Sequence, residues 1–96
     1  MLIIAGWTEM NASKRDDYVA AHQDLVVRCR QAPGCLDVAI SADPVDAARV
    51  NVYERWESKA DVEAWRAVAH APDTGIELVT VEVMEYGVAD VRPPFD

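Results

Sequence analysis

The spacing of apolar and polar positions along the chain marks out six elements. Leu2 to Thr8 is apolar at nearly every position and contains Ile3, Ile4 and Trp7, which predicts a first strand buried on both faces. Ser13, with Asp16 three residues on, is an N-cap with an acid at the third helical position, and Asp16 and Asp17 suit the positive end of a helix dipole. Tyr18, Ala21, Leu25, Cys29 and Ala32 then recur in steps of three and four. This predicts one helix of about five turns, stopped by Pro33 and Gly34.

Leu36, Val38 and Ile40 alternate with Asp37, Ala39 and Ser41, a second strand with one apolar face. Asp43-Pro44-Val45-Asp46 turns the chain. Val50 to Trp56 alternates again, with Val50, Val52, Glu54 and Trp56 on one side and Asn51, Tyr53 and Arg55 on the other. Ser58 with Asp61 repeats the cap-plus-acid arrangement, and Val62, Trp65 and Ala69 form an apolar stripe up to Ala71-Pro72, a second and shorter helix. Ile76 to Tyr86 reads as a long last strand, Val79, Val81 and Val83 on one face and Leu78, Thr80, Glu82, Met84 and Tyr86 on the other.

The order strand, helix, strand, strand, helix, strand contains two βαβ units. Right-handed crossovers with the halves inserted side by side give a ferredoxin-like α+β fold, the split βαβ arrangement, with one four-stranded antiparallel sheet and both helices on the same face. No linker interrupts the pattern, so residues 1–96 are expected to form one domain, with 88–96 as a tail ending in Pro93-Pro94-Phe95. Helices on one face leave the other to water, yet the first and last strands carry large apolar residues on both sides. A sheet-to-sheet homodimer is the expected solution, with the last strand or tail reaching onto the partner.

Charge narrows the functions. Seventeen Asp and Glu against nine Lys and Arg leave a net charge of −8, a field that repels nucleic-acid backbones and anionic membrane surfaces. No apolar run reaches a membrane span, and Met1-Leu2-Ile3-Ile4 lacks the basic leader of a signal peptide, so a cytoplasmic location is expected. Cys29 and Cys35 fit neither a zinc spacing nor a secreted disulfide framework and are expected as reduced, partly buried thiols, a bridge from helix end to strand start being the alternative that a reducing compartment disfavours. No glycine-rich phosphate loop, nucleophile elbow or metal-spaced cluster is present, and no metal is expected.

Ala32-Pro33-Gly34-Cys35-Leu36 after the first helix, and Tyr53-Glu54-Arg55-Trp56-Glu57-Ser58-Lys59 where the third strand meets the second helix, resemble the matching segments of the antibiotic biosynthesis monooxygenase domain family. The resemblance runs from the first strand to about Tyr86. It implies a dimeric α+β barrel with a pocket between sheet and helices in each subunit, and oxidation of an aromatic or polycyclic phenol or quinol by molecular oxygen without a cofactor. Deprotonating such a substrate yields an anion that can pass an electron to oxygen, so the protein need only bind, orient and deprotonate it.

On that footing the catalytic candidates are His22 as base, Asn51 as a holder of the substrate oxygens and Trp65 as a stacking surface. Tyr18, Tyr53 and Trp56 would bind substrate. Asn51 and Tyr53 qualify only if their strand face lies beneath the helices. Each candidate also has a purely structural role available: His22 as a satisfied buried histidine, Trp56 and Trp65 as core, Asn51 and Tyr53 as cross-strand packing. His70 suits the end of its helix. Glu54, on an apolar face, needs a partner such as Arg28, Arg49 or Arg55, or else a raised pKa. The haem-degrading relatives carry an asparagine in the first strand, where this chain has Gly6, Trp7 and Thr8, and no histidine follows Trp65 at the matching distance. A non-catalytic small-molecule binding or accessory protein, or a cofactor-free isomerase or lyase, are the alternative functions on this scaffold.

Overall fold

In the computed structural model, which describes residues 1–95, β1 (Leu2–Glu9) leads through a short 3-10 turn (Ala12–Lys14) into α1 (Arg15–Ala21) and α2 (Gln23–Arg30). β2 (Cys35–Ala42) and β3 (Arg49–Trp56) follow, then α3 (Lys59–Arg66) and β4 (Thr80–Gly87). The strands lie in the order β2-β3-β1-β4, every neighbouring pair antiparallel. With α1 and α2 forming one crossover and α3 the other, this is the ferredoxin-like split βαβ arrangement.

Register sorts the side chains. Leu2 stands opposite Trp56, Ile4 opposite Glu54 and Thr8 opposite Val50. This face joins Cys29 of α2, Val38 of β2 and Val62 of α3 in the core, where Trp56 and Val62 are wholly buried. Burying each such side chain contributes roughly 1.5–3 kcal/mol. The other face carries Ile3, Ala5 and Trp7 beside Arg55, Tyr53 and Asn51 on one flank and Tyr86, Met84 and Glu82 on the other. Full burial of β1 on both faces therefore does not hold within one chain: Ile3, Ala5 and Trp7 are only half-buried, because the helices all lie on the opposite side. At Gly6 the backbone runs at φ +152°, and a Cβ there would stand 1.8 Å from the Glu82 carbonyl oxygen. Only glycine lets β1 and β4 approach this closely.

Local contacts displace several expected boundaries. The expected Ser13 cap is absent: the Asn11 carboxamide oxygen accepts from the Ser13 amide at 2.9 Å and caps the 3-10 turn, and α1 then starts behind Lys14 with no side-chain cap. The first helix is also not continuous: at His22 the amide bonds to the Val19 carbonyl, three residues back, and the helix restarts as α2. α3 ends at Arg66 instead of Ala71, since Arg28 Nη1 draws the Ala69 carbonyl to 2.7 Å and His70 adopts a left-handed φ of +48°. β4 starts at Thr80, not Ile76; Val79 still donates to the Glu9 carbonyl at 2.8 Å, but the chain before it leaves the sheet. A register shift between Cys35 and Asp37 leaves Leu36 exposed instead of on the apolar face. Of the expected tail, Val88 is tied by its amide to the Met1 carbonyl at 3.1 Å, and Asp96 lies outside the described residues.

Candidate active site

His22 is the most constrained of the candidate residues. It is 7 % exposed at the α1–α2 junction, and its Nδ1 lies 2.7 Å from the Tyr18 carbonyl oxygen. A carbonyl oxygen can only accept, so Nδ1 carries a proton, and in the tautomer this selects the lone pair is on Nε2. The Tyr18 ring packs on the imidazole at 4.2 Å between centroids. Burial pushes the Tyr18 phenol above its ordinary value. The structure thus brings Tyr18 and His22 together, one helical turn apart.

Trp56 and Trp65 meet the same core from β3 and α3. The Trp56 indole donates to Glu54 Oε1 at 2.9 Å, so Glu54 is satisfied by an indole N–H where an arginine had been expected. Between Trp65, Glu54, Cys29, Val38, Ile40 and α2 lies a cavity of about 50 Å³. That is well below the ~300–1,000 Å³ of typical ligand pockets. The Arg28 guanidinium stands 5.7 Å over the Trp65 ring while its Nε holds Asp24 at 2.8 Å.

Asn51 and Tyr53 lie on the face away from the helices, opposite Trp7 and Ala5. The condition for their acting beneath the helices is not met, for the strand's alternation turns Val50, Val52, Glu54 and Trp56 that way instead. Both ends of the Asn51 amide are in use: Oδ1 accepts from Arg49 Nε at 2.7 Å, and Nδ2 donates to Asp43 Oδ1 at 2.9 Å. Arg49 also covers the Trp7 ring at 4.2 Å. Bonds from the Asp46 amide, the Asn51 side chain and the Val45 amide hold the Asp43 carboxyl at about 2, from an ordinary 3.8.

A larger space went unread in the sequence. A cleft of about 760 Å³ opens between α1 and residues 72–79, with Met10 beneath it, Lys14, Asp17 and Ala21 on one wall and Pro72, Ile76 and Glu77 on the other. Its far wall is the segment that leaves β4, and the only signal for it was the loop-forming run Pro72-Asp73-Thr74-Gly75. Ala21, on the near wall, immediately precedes His22. Among the described residues, no three His, Cys, Asp or Glu side chains are grouped to hold a metal ion, and no helix is long and apolar enough to cross a membrane.

A split βαβ sheet with a kinked first crossover and a cleft beside it defines a ferredoxin-like α+β domain. More particularly, residues 1–74 match the family model described as antibiotic biosynthesis monooxygenase, and the chain belongs to that family. No curated protein sequence matches it. Among solved structures, one described as an antibiotic biosynthesis monooxygenase superposes with a TM-score of 0.77 at 19 % identity, covering 94 % of this chain and 100 % of the other. A protein of Nitrosomonas europaea, described in the same family terms, gives 0.72 at 16 % identity over 94 % and 100 %. The haem degrader MhuD of Mycobacterium tuberculosis gives 0.69 at 17 % identity over 96 % and 100 %. At these identities the superpositions speak for the fold.

Proposed function

We propose that this chain is a cofactor-independent monooxygenase that oxidises an aromatic phenol or quinol with molecular oxygen. Membership of the monooxygenase family supports the reaction class. The observation that carries the mechanism is the His22 contact: with Nδ1–H committed to the Tyr18 carbonyl, Nε2 is the nitrogen that would take a phenolic proton. The cleft beside α1, reaching Ala21, has the volume for a polycyclic ligand, which the cavity against Trp65 does not. In this reading Tyr18 supports the base, and Asn51 and Tyr53 serve the sheet. The substrate anion passes one electron to oxygen, the resulting radicals combine at carbon, and loss of water from the peroxide leaves the quinone.

An oxygen electrode with anthrone and hydroquinone substrates tests this. Uptake with quinone formation is expected, and His22→Ala should lower kcat by roughly 10²- to 10⁴-fold, the usual contribution of a general base. Turnover under argon would instead identify an isomerase or lyase. The packing of Trp56 and Trp65 into the space beneath the helices favours a second reading, a non-catalytic binding module. Ligand binding by calorimetry without oxygen uptake or any turnover would establish it in place of the first.

The assembly proposed with this function is a cytoplasmic homodimer paired through the open sheet face. Met84 is 57 % and Tyr86 53 % exposed there, beside half-buried Ile3 and Trp7.

A further inference from the structure

Two thiols that the proposed reaction does not use stand 3.9 Å apart, Sγ to Sγ: Cys29 in the last turn of α2 and Cys35 at the start of β2. Consecutive turns bring them together. The Ala32 amide donates to the Cys29 carbonyl at 3.0 Å, the Cys35 amide donates to the Ala32 carbonyl at 3.1 Å, and Gly34 reverses the chain at φ +81°. The turn is held from two further directions. The Gly34 carbonyl accepts from the Glu57 amide at 2.9 Å, and the Cα of Gly34 packs so closely on Asp61 that a Cβ would lie 2.2 Å from its carboxyl group. Asp61 is in turn bonded to the Ser58 hydroxyl at 2.8 Å, in the cap of α3. A movement of the turn is therefore passed to the helix that carries Trp65, and Cys29 and Trp65 share the walls of one cavity.

We propose that Cys29 and Cys35 form a modification site, a dithiol that hydrogen peroxide converts reversibly into an intramolecular disulfide. Cys35, the more exposed of the two, meets the oxidant. Its sulfur takes one peroxide oxygen, the O–O bond breaks, and the other oxygen leaves as water, giving the sulfenic acid. The Cys29 sulfur then attacks that sulfur; the S–S bond forms, the S–O bond breaks, and the hydroxyl departs with the Cys29 proton as a second water. Two thiols have lost two electrons and two protons, and one peroxide has become two waters. The sulfurs close from 3.9 Å to a bond of ~2.0 Å. Burial, with Cys35 adding to it, pushes the Cys29 thiol up to about 12, and burial also raises Cys35. Both are thiols near neutral pH, so the pair stays reduced until peroxide accumulates.

Stepwise peroxide treatment of the purified protein, read by intact mass, thiol titration and tryptophan fluorescence, tests the site without any substrate, so its outcome is independent of the oxygenase reading. Expected are a mass lower by two hydrogens, loss of both titratable thiols, a parallel fluorescence change and full recovery with dithiothreitol. Cys35→Ser, at the start of β2 and only partly buried against the core, should abolish the hydrogen loss and the fluorescence change, its untreated melting curve showing that it folds. Oxygen addition without hydrogen loss, disulfides between chains, or two thiols still titratable after treatment would each overturn the proposal.

Discussion

Gly34 combines a left-handed backbone with contact against Asp61, so any side chain there meets both a conformational and a steric cost. Gly34→Ala is expected to lower stability by about 1–3 kcal/mol. Urea unfolding with an unchanged m-value checks this. At this scale the sequence was readable where a residue's role follows from its neighbours in the chain. Gly34 announced itself as a helix stop, and Ser58 caps α3 as its spacing with Asp61 required. His22 follows Tyr18 by four residues, one helical turn, but its tautomer depends on a carbonyl that no pattern of side chains reveals. For Glu54, charge points to an arginine partner or a raised pKa, whereas the hydrogen bond it accepts comes from an indole two residues away on the same strand face.

The elements show where periodicity stops being informative. The stripe from Tyr18 to Ala32 is unbroken, yet the backbone tightens at His22 and splits the helix, since the stripe reports a face and not the bonds along it. Ile76, Leu78 and Val79 before Thr80 read as a continuation of the strand, but pairing ends with β1, so Ile76 becomes cleft wall instead. The β2–β3 turn is governed by Asp43, whose Oδ2 accepts the Val45 and Asp46 amides at 3.0 and 2.7 Å. Its folded pKa, about 2, lies below the ordinary 3.8, so the ionised form favours the folded chain. That contribution is complete above pH ~4 and is lost as the pH falls through the folded value. Acid titration should show the wild-type melting temperature dropping through this window more steeply than that of Asp43→Asn, and equal slopes would refute it.

For the molecule as a whole, topology and the direction of the helices were legible because alternation, caps and turns agree with one another. The face on which Asn51 sits was not, since β3 has substantial side chains on both sides and only the register with β1 decides which points to the helices. The open face makes the dimer proposal specific. Met84→Glu, a surface change within one chain, should convert the particle to a monomer by sedimentation while leaving the melting of that monomer cooperative. Each subunit carries −8, so raising ionic strength is expected to tighten association by screening their repulsion. Weakening by salt would point to ion pairs, Arg55 among them, as the glue in place of apolar contact.

Gly6 bears on how relatives of this chain can be compared. The carbonyl of Glu82 occupies the volume of the absent methyl, so the spacing between the first and last strands is set by a missing atom. A homologue with a side chain at the corresponding place cannot keep both this backbone angle and this approach of the final strand, and must give up one of them.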